Sequence, residues 1–360
     1  MKIVRYLMGA LLILGNAVSA YPCTSAIISS SVSKTGRPIL WKHRDTGEEN
    51  NKVERIEATE STMAYVALYN ASDSACSEAW MGMNSAGFAI MNTASYNLKN
   101  DTVNIMDGEG LIMAEALCVC VTVDDFEKFL IAHSKPLHVE ANFGVIDAEG
   151  NGAYFETDNY AFQRYNLSDS PSGVLIRTNY SHSGRKDEGY GYIREVNAHY
   201  FLDKAAIEKN VSPEFLTETV SRTFYHSVFE KDFTNSGESW IIDQDFIPRY
   251  TSTATCAIEG GTFPVMWIGI GYPPASEIRA VTMNAPVPSE LRGTLPNGHS
   301  QLCDAAVAAK HRAFKISRGN GEKYIYLPVL YNKSGDGAAQ IAKKKNQKYY
   351  KSARKRLNAK

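Results

Sequence analysis

Strand-like segments in this chain come in batches, separated by batches of helix-like segments, and that order limits the fold more than any other feature. The first batch opens at Thr24 to Val32, turns at Lys34-Thr35-Gly36 and returns from Arg37 to Asp45. Further strands are predicted at 63–69, 79–84, 87–94, 142–147, 152–157 and 173–179, and late ones at Thr251 to Ile258, Pro264 to Gly269 and Ile278 to Met283. Helices are predicted at about 108–120, 123–133, 189–207 and 212–224. Alternating βαβ units would interleave the two types throughout. Batches instead imply a layered α+β fold. Asn84-Ser85-Ala86-Gly87 and Asp147 to Gly152 read as hairpin connections. Thr122-Val123-Asp124-Asp125 resembles a capping box, with Asp in the last position. No internal repeat and no Gly-rich phosphate loop is present.

Composition is that of a folded chain. Hydrophobic residues make up 44% and charged residues 21% of the 360, which excludes disorder for the bulk of it. After the first twenty residues no apolar run is long enough to span a bilayer. Those twenty have a basic start at Lys2 and Arg5, an apolar stretch from Leu7 to Leu14, and small residues ending at Ala20. That is the build of a cleavable export signal, so secretion or a periplasmic location is expected. Charge is unevenly spread. Residues 341–360 carry nine Lys or Arg and no acid, while 21–340 carry 27 basic against 39 acidic groups. A body so acidic does not suggest a nucleic-acid binder. The basic tail reads as a solvated terminal helix or frayed end, with contact to anionic lipid as the alternative.

Six cysteines, at 23, 76, 118, 120, 256 and 303, are too few for a disulfide scaffold, although export leaves room for one or two bridges. Cys118 and Cys120 lack the second pair of a structural zinc site and read as core. The histidines are scattered without a metal-binding pattern, so no metal and no cofactor is expected. The hydroxyl-rich run Thr251 to Thr255 reads as strand, and Trp267 and Tyr272 read as core.

The feature with chemistry in it is Cys23, two residues past the expected signal cut. A cut after Pro22 would leave a cysteine with a free α-amino group. A thiol attacks well only when a base takes its proton, and an α-amine with a pKa of roughly 7.7–8 is such a base near neutrality. The hairpin places Cys23 beside Lys42-His43-Arg44-Asp45.

Here the chain resembles a known family. Cys23-Thr24-Ser25-Ala26-Ile27-Ile28 with Leu40-Trp41-Lys42-His43-Arg44-Asp45, then Gly82-Met83-Asn84-Ser85-Ala86-Gly87 with Asn92, then Phe143 to Asp147 with Gly150, Asn151 and Glu156, then Arg177-Thr178-Asn179 and Tyr192-Ile193-Arg194, look like N-terminal-nucleophile (Ntn) hydrolases with a cysteine nucleophile. The branch is the linear-amide C–N hydrolases, which includes choloylglycine hydrolases, penicillin V acylases and acyltransferases. The resemblance implies a four-layer αββα sandwich of two antiparallel sheets between helical layers. It would span 23–340, after a signal at 1–20 and a propeptide at 21–22, with the basic tail at 341–360. It also implies an amidase acting on a small linear amide. Cys23 would be nucleophile and base, and Asp45 would orient it. Asn179 and Asn92 would stabilise the oxyanion, and Arg194 would favour the thiolate. The family's first arginine falls on Lys42, while Arg44 lies two residues on and on the same strand face, so that positive charge is left to Lys42 or Arg44. Substrate specificity and assembly as a homo-oligomer stay open.

Overall fold

The computed structural model describes residues 23–103 and 108–358. The expected signal at 1–20 and propeptide at 21–22 lie outside the described residues. The chain opens with β1 (Thr24–Ile28), β2 (Ile39–Asp45), β3 (Asn51–Ile56), β4 (Tyr65–Asn70), β5 (Met81–Asn84) and β6 (Ala89–Ala94). Then come α1 (Glu109–Val119), α2 (Val123–Ala132), β7 (Ala141–Ile146), β8 (Gly152–Thr157), β9 (Phe162–Asn166), β10 (Val174–Arg177), α3 (Tyr192–Ile207) and the single turn α4 (Pro213–Phe215). Short pairings β11 (Tyr225–His226), β12 (Lys231–Asp232) and β13 (Trp240–Ile242) precede β14 (Ser252–Glu259), β15 (Val265–Ile270) and β16 (Arg279–Thr282). Last are α5 (Gln301–Ala313), β17 (Ile316–Ser317), β18 (Lys323–Tyr326) and α6 (Ala338–Asn358).

Two antiparallel sheets dominate. One runs β10-β1-β2-β14-β15-β16, the other β3-β4-β5-β6-β7-β8-β9. Their strands alternate between two cores, as a period of two requires. Leu40, Val66, Leu68, Met83 and Ile268 fill the space between the sheets. Tyr65, Ala67, Tyr69, Phe143 and Val145 face outward and pack on Ile112, Leu117, Phe126 and Leu130 of α1 and α2. On the other side, Ala26, Ile28, Ile39 and Trp41 pack on Ala198 and Leu202 of α3. Val265 and Trp267 pack on Tyr350 and Ala353 of α6. The order is therefore helix, sheet, sheet, helix, a four-layer αββα sandwich.

Local signals explain several joints. Thr122 Oγ1 accepts from Asp125 N at 3.1 Å and the Asp125 carboxylate accepts from Thr122 N at 3.0 Å, which closes the capping box of α2. Asn84 accepts from the amides of Ala86 and Phe88 and donates to the carbonyls of Leu117 and Cys120, tying the β5–β6 turn to the end of α1.

The structure adds β3, β9, α5 and the short strands β11, β12, β13, β17 and β18 to the elements read from sequence. It also changes the picture of the C-terminus. The boundary expected at 340 falls inside α6, whose Ala339, Ala342, Asn346, Tyr350 and Ala353 are buried. Residues 338–358 are thus a docked helix of the outer layer. Trp267 lies 4.7 Å from the Tyr350 ring and Tyr272 is fully buried, so both are core. All six cysteines are free. Among the described residues no helix is long and apolar enough to cross a membrane.

Candidate active site

Strand β2 lies inside its sheet, paired with β1 on one side and β14 on the other, and all seven of its residues are buried. Four consecutive ionisable side chains, Lys42 to Asp45, therefore sit in the interior. Such burial is tolerated only where each group finds partners. The partners define the site.

Lys42 and Arg44 point between the sheets. Lys42 Nζ donates to Asn92 Oδ1 at 2.7 Å and to the Trp80 carbonyl at 2.9 Å. Arg44 donates to Asn51 and, at 2.7 Å, to Asn70 Oδ1, and its guanidinium lies 4.9 Å from the centre of the Trp80 ring. Both lie within electrostatic reach of Cys23. Burial lowers the Lys42 ammonium to about 8, against the pull of the nearby cysteine. The two-residue spacing does put both cations on one face, but only Lys42 contacts Asn92.

His43 and Asp45 face the opposite way. Asp45 Oδ2 accepts from Arg249 Nη2 at 2.5 Å and Oδ1 accepts from Ser252 Oγ at 2.5 Å. A β-bulge between Ser252 and Ala254 accompanies this contact, where β14 runs past β2. Ser252 Oγ also accepts from Arg249 N at 2.9 Å and lies 2.8 Å from His43 Nε2. Its single proton goes to Asp45, so His43 Nε2 must carry the donated hydrogen. The Ser252 hydroxyl is then saturated and has no lone pair left for nucleophilic attack. Burial, outweighing the attraction of Asp45, lowers His43 to about 4, so the ring is neutral at pH 7.

Cys23 sits at the end of β1, 6% exposed. Its sulfur lies 3.5 Å from Asp45 N and 3.6 Å from Asp45 O. Arg194, in the first turn of α3, donates from Nη1 to the Cys23 carbonyl at 2.5 Å and to Thr24 Oγ1 at 3.0 Å, and from Nη2 to Asn179 Oδ1 at 2.8 Å. Gly191 precedes this helix with φ at +97°, and a side chain there would strike the Arg194 guanidinium. Asn179 Nδ2 donates to Ala94 O at 2.8 Å.

The expected residues thus gather at one end of the sandwich, but several contacts differ from the sequence reading. Asp45 reaches Cys23 through its main chain, while its carboxylate holds Arg249 and Ser252. Arg194 grips the Cys23 carbonyl, and one N–H of Asn179 is spent on Ala94. Asn92 presents its oxygen to Lys42, which leaves its amide nitrogen turned from that lysine. Arg249 was not singled out in the sequence, since nothing local marks it. Ser252 lay in the hydroxyl run and was read as plain strand. Glu156, by contrast, stood in a motif and anchors the neighbourhood. It accepts from Arg177 Nε at 2.6 Å and from the amides of His182 and Ser183. Among the described residues no group of three His, Cys, Asp or Glu side chains is placed to hold a metal ion.

No protein-family model matches the chain, and comparison with curated proteins gives no match. Solved structures do resemble it. A mutant of conjugated bile acid hydrolase from Clostridium perfringens aligns at 11% identity and TM-score 0.44, over 73% of this chain and 92% of that one. A Caenorhabditis elegans N-acylethanolamine-hydrolyzing acid amidase ortholog aligns at 12% identity and TM-score 0.41, over 66% and 92%. Penicillin V acylase from Agrobacterium tumefaciens aligns at 13% identity and TM-score 0.42, over 73% and 86%.

Proposed function

We propose that this chain is an exported Ntn-type amidase whose nucleophile is the Cys23 sulfur, uncovered by removal of the residues before it. The observation that carries the reading is the fixing of Cys23. Arg194 holds its carbonyl, the Asp45 main chain flanks its sulfur, and the buried cations Lys42 and Arg44 lie within electrostatic reach of it. Buried, perturbed ionisable groups cluster where chemistry needs them.

In the proposed reaction the free α-amine takes the thiol proton and the sulfur attacks the carbonyl carbon of a linear amide. The tetrahedral oxyanion is met by amide N–H groups of Asn92 and Asn179. Collapse breaks the C–N bond, the ammonium returns its proton to the leaving amine, and a thioester remains. Water, activated by the same amine, releases the carboxylic acid and restores the thiol. No cofactor takes part. The substrate is a small N-acyl amine of the N-acyl amino acid, bile-salt or penicillin V type. Lys42 and Arg44 put buried positive charge near the Cys23 sulfur, which favours substrates with an acid group near the scissile bond.

The test is the intact mass of the exported protein, followed by turnover of such amides by wild type and Cys23→Ser. A chain beginning at Cys23 with activity lost in the variant is expected. A chain that keeps Tyr21 and Pro22 and has no turnover would make it a non-catalytic secreted binding protein. Transfer of the acyl group to an added amine in preference to water would make it an acyltransferase.

A further inference from the structure

The outward side of α6 carries a row of cations that no acid answers. Lys344, Lys348, Lys351 and Lys355 follow at spacings of four, three and four residues, which sets them along one side of a helix. At about 1.5 Å per residue the row is roughly 16 Å long. Lys343, Lys345 and Arg356 widen it, and all seven are exposed. The row cannot turn inward, because the opposite side is anchored. Asn346 accepts from Ile278 N at 2.9 Å and donates to Ser276 O and Glu218, and Tyr350 bonds Thr217.

Acids reach this helix only at its flanks and on its buried side, where Glu218 accepts from Asn346 and attracts Lys343. Arg354 pairs with Glu214 and Glu259, and Lys345 with Glu277. Lys344 donates to the Gly335 carbonyl, and Lys348, Lys351 and Lys355 form no ion pair among the described residues. No acidic residue follows Asp336 in the sequence, although residues 21–340 carry 39 acids against 27 bases. Lys344 with Lys348, and Lys351 with Lys355, are like-charge pairs at i,i+4, which weaken a helix in isolation. The chain keeps them where an acid would be the easy remedy.

We propose that this face docks on an anionic lipid surface, whose headgroups supply the charges the chain omits. Clusters of four to eight basic residues on an amphipathic helix suit such surfaces. Ile341, 42% exposed and three residues before Lys344, puts an apolar side chain at the head of the same side. Single-stranded nucleic acid is gripped by a groove with stacking aromatics, whereas here Tyr350 is buried and Tyr349 only partly exposed. The four residues of the row are lysines, and Arg356 at its margin is the one exposed side chain of the seven with the planar fork by which arginine reads phosphate and bases.

Deleting 341–360 would remove buried packing, so the test neutralises charge instead. The full exported protein and its Lys344→Gln, Lys348→Gln, Lys351→Gln, Lys355→Gln variant are sedimented with phosphatidylcholine vesicles, with and without phosphatidylglycerol, at low and high salt. Equal melting temperatures establish that the variant is folded. Wild type should bind only the anionic vesicles, release at high salt, and bind more than about tenfold more tightly than the variant. Equal binding by the two proteins, or binding to neutral vesicles alone, overturns the proposal. So does tighter binding to single-stranded RNA or DNA than to anionic vesicles in a parallel titration.

Discussion

His43 offers a sharp test of the electrostatics built into β2. The ring is fully buried, bonded through Nε2 to Ser252, and its Nδ1 has no hydrogen-bond partner among the described residues. Burial lowers it from an ordinary 6.5 to about 4. Between those values the unfolded chain takes up a proton that the folded chain refuses. The unfolded state therefore gains as pH falls, and the folded state loses stability across that window. At about 1.4 kcal/mol per pH unit the loss amounts to roughly 3 kcal/mol. Asp243 works in the opposite sense. Its burial raises the carboxyl to about 7, so the folded chain holds a proton that the unfolded one releases, and acidification favours folding. The wild-type curve alone therefore blends the two. His43→Gln separates them, since Gln keeps an N–H for Ser252 and takes up no proton. Urea unfolding of both proteins is followed from pH 7 to pH 4, and the stability difference is plotted against pH. Wild type should lose about 3 kcal/mol relative to the variant over this range. Parallel curves would refute the claim that His43 is held neutral by its burial.

Two further outcomes follow from the site and one from the docking of α6. Arg194→Met leaves the Cys23 carbonyl and Asn179 without their partner, so urea unfolding should show a loss of about 2–4 kcal/mol, and kcat should fall more than KM rises. Lys42→Arg exchanges an ammonium lowered to about 8 for a guanidinium that holds its proton. An alkaline limb near pH 8 in the wild-type kcat/KM profile should then disappear. Asn346→Ala breaks bonds to Ile278, Ser276 and Glu218 and should cost about 2–3 kcal/mol in urea unfolding, whereas a frayed tail would make it neutral.

Much of the frame was legible in the order of residues because the forces that set it are local. The capping box at Thr122 and the Asn84 turn each act within a few residues, so a reader of the chain meets cause and effect together. The hairpin that brings Cys23 to Asp45 joins strands that neighbour in sequence, across the ten residues from Ser29 to Pro38. Edge strands were harder. Asn51–Ile56 pairs on one side alone, to β4, and carries Lys52, Glu54 and Arg55 in a pattern that does not proclaim a strand. The basic C-terminus was legible as charge but not as a docked helix, since its buried side is mostly alanine with one Asn and one Tyr.

The sequence by itself determined a layered α+β fold and the nearness of Cys23 to Lys42 through Asp45, because strand order and turn chemistry are written in neighbouring residues, while the αββα order came only as what the family resemblance implies. Only the tertiary structure decided who answers each buried charge. Arg249 meets Asp45 across 204 residues, Ser252 meets it across 207, and Arg194 meets Cys23 across 171. An ion in a low-dielectric interior must be paired by whatever group the packing brings within about 3 Å. That group is chosen by the meeting of strands and helices, which no local pattern encodes.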